Sequence, residues 1–236
     1  MDIKIIKETC NIIKNTLINI KKSVFINYQS WLILLISILI ITKNDLINGI
    51  ITFTFMLLAS HLFHYSCHIA IYTNSVHIYH HSHNNYLSHI SQIILELFSI
   101  LNFIFIKHLF PYFAFLNEWV IIFYYLFYTT VHNVNYSIFH VNNVHEIHHK
   151  LQTVNLGPDI CDIIFQTKFD VNNSLENTNH YIYNILYGLL LVSTLQLIWK
   201  HATNQEKNII TNLFVGGYGI VVGVLLFLTV YFNFVD

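Results

Sequence analysis

The feature that most constrains this chain is a series of six apolar runs, each close to the roughly 20 residues needed to cross a bilayer. The runs cover about 24–42, 46–68, 90–106, 112–132, 181–199 and 208–232. Charged residues make up only 10% of the chain, against about a quarter in an ordinary soluble domain. A chain with so few charges cannot cover itself with a solvated surface, so we expect lipid to cover part of it.

The predicted architecture is an all-α membrane protein with about four to six transmembrane or re-entrant helices. Residues 1–23 mix lysines with apolar residues at helical spacing, which predicts an amphipathic helix on the membrane surface. Residues 24–236 contain no repeat and no linker, so we predict one membrane-embedded domain there. The run at 90–106 is short and Pro111 follows it, so it is the candidate for a segment that turns back before a full crossing.

Six crossings would place residues 1–23, 73–89 and 133–180 on one side of the membrane, together with the C-terminus. Seven of the eleven lysines fall on that side, and the positive-inside rule makes it cytosolic. The two polar stretches would then form a cytosol-facing cap. Because the formal net charge is −1 and there is no basic patch, we expect no nucleic-acid partner.

Histidine is the most frequent ionisable residue, with 16 copies. An imidazole is costly to bury in an apolar chain unless a partner satisfies it, and a metal ion is the usual partner. All of the dense clusters lie on the predicted cytosolic side. They are His64-Tyr-Ser-Cys-His68, His77-Ile-Tyr-His80-His81 and His145-Glu-Ile-His148-His149.

Spacing within these clusters predicts which rings share a helix face. His64 and His68 are four residues apart and fall on one helix face. In each His-x-x-His-His cluster we expect the first two histidines to share a face. The third lies about 100° further round, where it could reach a second ion or bridge from the side. The eight rings would give two ions three or four nitrogens each and leave open positions. Imidazole suits iron, zinc and copper alike, so the ligands alone do not select the metal.

The order of the three clusters resembles the histidine boxes of the fatty acid hydroxylase (sterol desaturase) superfamily. Residues 155–169 are similar to the signature that follows the third box in that superfamily. The positions that match the signature are Gly157, Asp162, Phe165 and Thr167. Two positions depart from it, because Ile163 stands where arginine is frequent and Gln166 where glycine is usual. The resemblance covers roughly residues 50–170.

This resemblance implies a membrane-bound, non-haem di-iron oxygenase that hydroxylates or desaturates a lipid such as a fatty acyl chain, a sphingolipid or a sterol. The eight box histidines would hold two iron ions, with zinc an alternative in purified protein. Dioxygen and external electrons would be co-reactants. A cytochrome b5 and an NAD(P)H reductase-type donor would supply the electrons. The expected location is the endoplasmic reticulum membrane, with the boxes facing the cytosol.

Further residues are expected around the boxes. The superfamily recruits a histidine before the third box, and His132, at the end of the fourth run, is the best candidate. No catalytic side chain is expected beyond the metal centre. The candidates to hydrogen-bond to ligands from outside, or to cap the site, are Asp162, Glu176, His180, His140, His89, His83 and His61.

Three other functions fit part of the pattern. The third cluster matches the H-E-x-x-H motif of zinc metalloproteases with Glu146 as base, but this reading leaves the first two clusters without a role. A metal transporter would place its histidines within the membrane at helix breaks. An acyl-lipid desaturase shares the boxes and the metal, but its pattern lacks the signature at 155–169.

Overall fold

The computed structural model describes residues 3–43, 45–69, 75–171 and 175–235, and all regular structure in these residues is helical. A π-helix, Val131–Ile138, continues α6, and short 3₁₀ turns occur at Pro111–Phe113 and Thr178–His180. The described residues form α1 (Ile3–Ile26), α2 (Tyr28–Thr42), α3 (Leu46–Ile69), α4 (Ser75–Ser82), α5 (Tyr86–Leu109), α6 (Glu118–Thr130), α7 (Val144–Leu151), α8 (Asp159–Phe165), α9 (Tyr181–His201) and α10 (Asn204–Val235). The all-α prediction is confirmed.

Four of the described helices, α3, α5, α9 and α10, are long and apolar enough to cross a membrane. Helices α1 and α2 make a fifth candidate only as a pair, and they meet at a bend of 78°. Four to five candidate spans agree with the predicted four to six. The run at 90–106, expected to be short and re-entrant, belongs to the 24-residue α5. The helix is longer than the apolar run because it starts among polar residues, where the Asn85 side chain accepts a hydrogen bond from the Ser88 N–H.

The run at 112–132 differs from the predicted fourth span. Its α-helix, α6, has 13 residues and begins where the Asn117 side chain accepts hydrogen bonds from two backbone N–H groups. It packs against α2, α3, α5 and α9. Phe123 and Tyr124 on this helix have no exposed surface. The apolar character of α6 therefore reflects, in large part, burial inside the bundle.

The N-terminal helix α1 leaves the bundle at the bend before α2. Near the bend, Ser23 Oγ donates a hydrogen bond to Asp159 Oδ2 at 3.0 Å, and Asn27 Nδ2 donates to the backbone carbonyl of Glu176 at 2.8 Å. Phe25 is 78% exposed, as a lipid-facing side chain would be. The division into a surface segment, 1–23, and one domain, 24–236, stays a prediction.

Short helices gather at one end of the bundle. Helix α4 rests on a small apolar cluster contributed by α3, α4, α5 and α10, which includes Val76, Leu95 and Phe232. Helix α8 packs against α1 and α3, and α7 contacts the π-helix that continues α6. Because α4 follows α3 and α7 follows the π-helix, all three histidine clusters are brought to this end.

Candidate metal centre

Two groups of histidines lie together where α3 ends and where α4 and α7 pack. Within each group the candidate ligand atoms lie within 4.8 Å of one another. The first histidine group contains His64, His68, His77, His81 and His148, and the second histidine group contains His80, His145 and His149. The structure thus divides the eight box histidines between two sets, each of which could hold a metal ion.

Each His-x-x-His-His box contributes to both groups. The Nε2 atoms of His77 and His81 are 3.1 Å apart, and those of His145 and His149 are 2.9 Å apart. The middle histidine of each box belongs to the other group. The third histidine was expected to reach a second ion, whereas in the structure the middle histidine is the one that joins the other group. Residues four apart differ by about 40° around a helix and residues three apart by about 60°, so the first and third rings align more closely.

Backbone carbonyls of the turn after α7 orient two ligand rings. The Nδ1 atom of His64 lies 2.6 Å from the carbonyl oxygen of Leu156, and that of His148 lies 2.8 Å from the carbonyl oxygen of Val154. A carbonyl oxygen can only accept, so each Nδ1 carries the hydrogen. In a neutral imidazole this leaves Nε2 with a free lone pair, which is the form that binds a metal.

Gln92 orients His77 in the same way. The Gln92 Nε2 group donates to Glu96 at 3.2 Å, so its Oε1 atom is the acceptor that lies 3.0 Å from His77 Nδ1. The unprotonated Nε2 of His77 then faces the unprotonated Nε2 of His64 at 3.0 Å. Two lone pairs that face each other at this distance repel, so a cation between the neutral rings would stabilise them.

Several buried ring nitrogens have no hydrogen-bond partner among the described residues. They are Nε2 of His80, His132 and His148 beside the two groups, Nδ1 of His81 on the side of its ring away from His77, and Nε2 of His180 further out. An unsatisfied buried polar atom costs about 1–3 kcal/mol, so the three Nε2 atoms beside the two groups require an explanation. Imidazole nitrogens bound about 2.0–2.1 Å from one ion lie roughly 3 Å apart. The observed separations of 2.9–3.1 Å fit that requirement.

Burial keeps the rings of α4 and α7 neutral. Desolvation, reinforced by neighbouring imidazoles, holds the pKa of His77 and His145 well below the ordinary value. The same cause lowers the pKa of His148 to about 3 and that of His149 to about 4. Because a metal ion competes with protons for these nitrogens, neutral rings are ready to bind one at physiological pH.

His132 lies in the π-helix that continues α6, beside the second histidine group. Its ring centroid is 4.6 Å from that of His145 and 5.7 Å from that of His80. Its Nε2 atom is buried without a partner, while Nδ1 contacts the Glu96 carboxylate. π-Helical turns occur frequently at functional sites. The predicted ninth ligand therefore stands next to the second group, although outside its tight set of nitrogens.

Asp162 acts on the site through the backbone. Its carboxylate accepts hydrogen bonds from the N–H groups of Leu156 (2.9 Å) and Gly157 (2.8 Å). The carbonyl oxygens of the same two residues accept from the Nδ1 atoms of His64 (2.6 Å) and His61 (3.0 Å). Gly157 has φ +64°, a conformation that favours glycine. The signature-like segment thus holds a turn whose carbonyl groups orient histidines of α3.

Glu176 and His180 lie one layer further out. Glu176 accepts hydrogen bonds from the Tyr136 hydroxyl and from Asn142 Nδ2, and His180 Nε2 is 3.8 Å from its carboxylate. The ring of Tyr136 stacks on that of His145 at a centroid distance of 6.0 Å. The pair predicted to orient a ligand therefore reaches His145 through Tyr136.

The other candidate histidines are peripheral. His89 is partly buried, and its ring centroid lies 5.9 Å from that of His80, at the rim of the second group. His83 stacks on Tyr79 at 4.2 Å. His140 is exposed in the turn before α7. None of these three belongs to either group of nearby ligand atoms among the described residues.

Sequence reasoning missed the polar face of α5. Ser88, Gln92 and Glu96 are spaced by four residues and all are buried, and Ser88 Oγ lies 3.2 Å from His80 Nδ1. The signal was present, because an acidic residue inside an apolar run of membrane-span length marks a functional position by default.

The chain matches no protein-family model, no curated protein and no solved structure in the three comparisons. What its own geometry shows is an all-helical protein with several membrane-length helices and buried histidine groups that could hold metal ions.

Proposed function

We propose that this protein is a membrane-bound, dioxygen-dependent di-iron oxygenase that hydroxylates or desaturates a lipid. One observation carries the proposal: two adjoining sets of imidazole nitrogens, with lone pairs facing inward, lie at the end of an apolar helical bundle. The resemblance of the boxes to the fatty acid hydroxylase superfamily favours iron over zinc or copper. Bound iron would activate dioxygen, which is the oxidant needed to break an unactivated C–H bond.

The two histidine groups are the proposed ligand sets of the two ions. They are close neighbours, since the rings of His81 and His149 stack at 4.2 Å. Carbonyl and amide groups fix the ring orientations of His64, His77 and His148, so this chain orients its ligands before an ion arrives. Such an arrangement lowers the cost of assembling a site.

Cavities on the bundle side of the histidines support a lipid substrate. An outer cavity of about 260 Å³, with mainly apolar walls, lies between α2, α3 and α8 and shares Phe53 and Leu57 with a middle cavity. The middle cavity shares Phe127 and Tyr181 with an inner one of about 70 Å³, which reaches His145. A narrow, mostly apolar row of this kind suits an acyl chain that enters from the bilayer.

Electrons would come from outside the chain. We place the histidine cap on the cytosolic face of the endoplasmic reticulum, where a cytochrome b5 and an NAD(P)H reductase-type donor could reach it. An acyl-lipid desaturase remains the nearest alternative, since the same site would serve both outcomes.

The metalloprotease alternative is disfavoured by the position of Glu146. A general base must face the metal-bound water, whereas the Glu146 side chain is 64% exposed and its carboxylate binds Lys150 Nζ at 2.6 Å. A Glu146→Gln variant that keeps its metal ions and its lipid product would exclude this role for Glu146.

The proposal is tested by metal content and lipid product together. Full-length protein purified in detergent should contain two iron ions per chain, and membranes that express it should contain a new hydroxylated or desaturated lipid. A His148→Ala/His149→Ala variant should lose both, whereas the matched control His108→Ala/His201→Ala, at exposed histidines, should keep both. Stoichiometric zinc with no change in lipids would refute the proposal.

A further inference from the structure

Glu96 is a buried carboxylate that contacts His132 directly and is linked to His77 through Gln92. It lies on α5, is 4% exposed, and has one described ion-pair partner, the His132 imidazole. An anion in such a place requires several hydrogen bonds or a nearby positive charge. Its contacts account for the hydrogen bonds, and they lead to a histidine on each side.

Through its contact with His132, Glu96 is linked to the second histidine group. Glu96 Oε1 pairs with His132 Nδ1, and Oε2 accepts a hydrogen bond from Asn133 Nδ2 at 2.9 Å. With a carboxylate oxygen as the acceptor, an imidazole that carries one hydrogen carries it on Nδ1. The lone pair of Nε2 is then left buried, without a partner, next to His145.

Through its contact with Gln92, Glu96 is linked to His77 of the first histidine group. Gln92 Nε2 donates to Glu96 Oε1 at 3.2 Å, which turns Gln92 Oε1 towards His77 Nδ1 at 3.0 Å. If the amide were reversed, its two donors would face His77 and its oxygen would face a carboxylate. Glu96 therefore determines the orientation of Gln92, and through it the tautomer of His77.

We propose that Glu96 is a positioning residue that serves both histidine groups and makes His132 the fourth nitrogen ligand of the second. The inference rests on the proposed metal centre. With His132 added, the second group supplies four imidazoles beside the five of the first. The charge of the carboxylate offsets part of the positive charge that two ions bring into a site of neutral ligands.

The substitution Glu96→Gln tests this with little change in shape. His132, Gln92 and Asn133 all donate hydrogen bonds to Glu96. A glutamine side chain offers one oxygen and one NH₂ group, so at least one of these donors would face the NH₂ group and lose its acceptor. The matched control is Glu118→Gln, the same substitution at the partly exposed N-terminal end of α6, where Glu118 pairs with Lys107. Both variants are compared with His132→Ala and with the double variant.

The readout is metal binding by full-length protein in detergent. Co(II) is titrated against a competing chelator, and its visible absorption reports the coordination of each ion. We expect His132→Ala to weaken binding of one ion about 10–100-fold, and Glu96→Gln to weaken binding of both. The ion of the second group should bind no more weakly in the double variant than in His132→Ala alone. Glu118→Gln should match the wild type.

The outcomes separate the inference from the proposed function. Wild-type protein that binds fewer than two ions would overturn the proposed metal centre itself. Two ions in the wild type, with Glu96→Gln equal to Glu118→Gln, would overturn only the role of Glu96. If Glu96→Gln does not give a monodisperse protein, the test uses His132→Ala instead. Unchanged binding of both ions in His132→Ala would also overturn the inference.

Discussion

The Nε2 atoms of His64 and His77 face each other at 3.0 Å, although the Nδ1 hydrogen of each ring is already donated elsewhere. Neutral rings held in this way present only lone pairs to each other. The relationship distinguishes this cluster from histidines that merely hydrogen-bond to one another, and it makes the stability of this end of the bundle depend on a cation.

Removal of metal should destabilise the protein. An ion present at 100 times its dissociation constant stabilises the folded state by about 2.7 kcal/mol, and chelation removes this contribution. Thermal unfolding of the full-length protein in detergent should therefore shift to lower temperature with a chelator and recover on addition of Fe(II). An unchanged midpoint would contradict a metal-stabilised cluster.

Metal-free protein should lose stability as the pH falls below about 6.5. Burial lowers the pKa of His148 to about 3, while the unfolded chain keeps the ordinary value. Between these values the unfolded state binds a proton that the folded state does not, so stability is complete above pH 6.5 and declines as the pH falls towards 3. At pH 5 His148 alone should contribute about 2 kcal/mol of this loss. Unfolding midpoints at pH 7.5 and 5.0 check this, and His148→Ala should reduce the difference between them.

Replacing Asp162 by Asn should loosen the turn that orients His64. The carboxylate accepts from the N–H groups of Leu156 and Gly157 and from Thr167 Oγ1, and an amide cannot accept from all three. We expect a loss of about 1–3 kcal/mol in stability together with weaker metal binding. The control is Asp45→Asn at an exposed position, and equal behaviour of the two variants would show that the turn does not matter.

A glycine at position 166 should make the protein more stable than an alanine at the same position. It ends α8 with φ +60°, a left-handed conformation that carries a penalty for any residue with a Cβ atom. Gln166→Gly and Gln166→Ala both lose the side-chain hydrogen bond to Thr16, so their difference isolates the backbone effect. Gln166→Gly should be more stable by about 1 kcal/mol in thermal unfolding. Equal midpoints would contradict the assigned strain.

Leu57→Trp should obstruct the proposed substrate route without loss of metal. Leu57 lines both the outer and the middle cavity, so an indole there would reduce the space in both. We expect lipid product to fall by about tenfold or more while the metal content stays at the wild-type level. Leu62→Trp, on an exposed face of the same helix, is the control. Product that is unaffected in Leu57→Trp would exclude this route.

Much of the fold was predictable from the sequence because the relevant signals are local. Apolar runs of span length predicted an all-helical chain, and the spacing of the boxes predicted that histidines would meet in pairs on helix faces. Burial in protein and burial in lipid select the same residue types, however. The run at 112–132 therefore predicted a span, although α6 is packed inside the bundle.

By itself the sequence determined the helical class of this protein and the eight box histidines, since both follow from composition and from spacing along the chain. Only the tertiary structure decided how those histidines divide between two groups, because a difference of about 20° around a helix separates the alternatives. It also decided that Glu96, 36 residues from His132 along the chain, lies against that ring. Contacts between distant segments depend on how helices pack, and no local pattern encodes them.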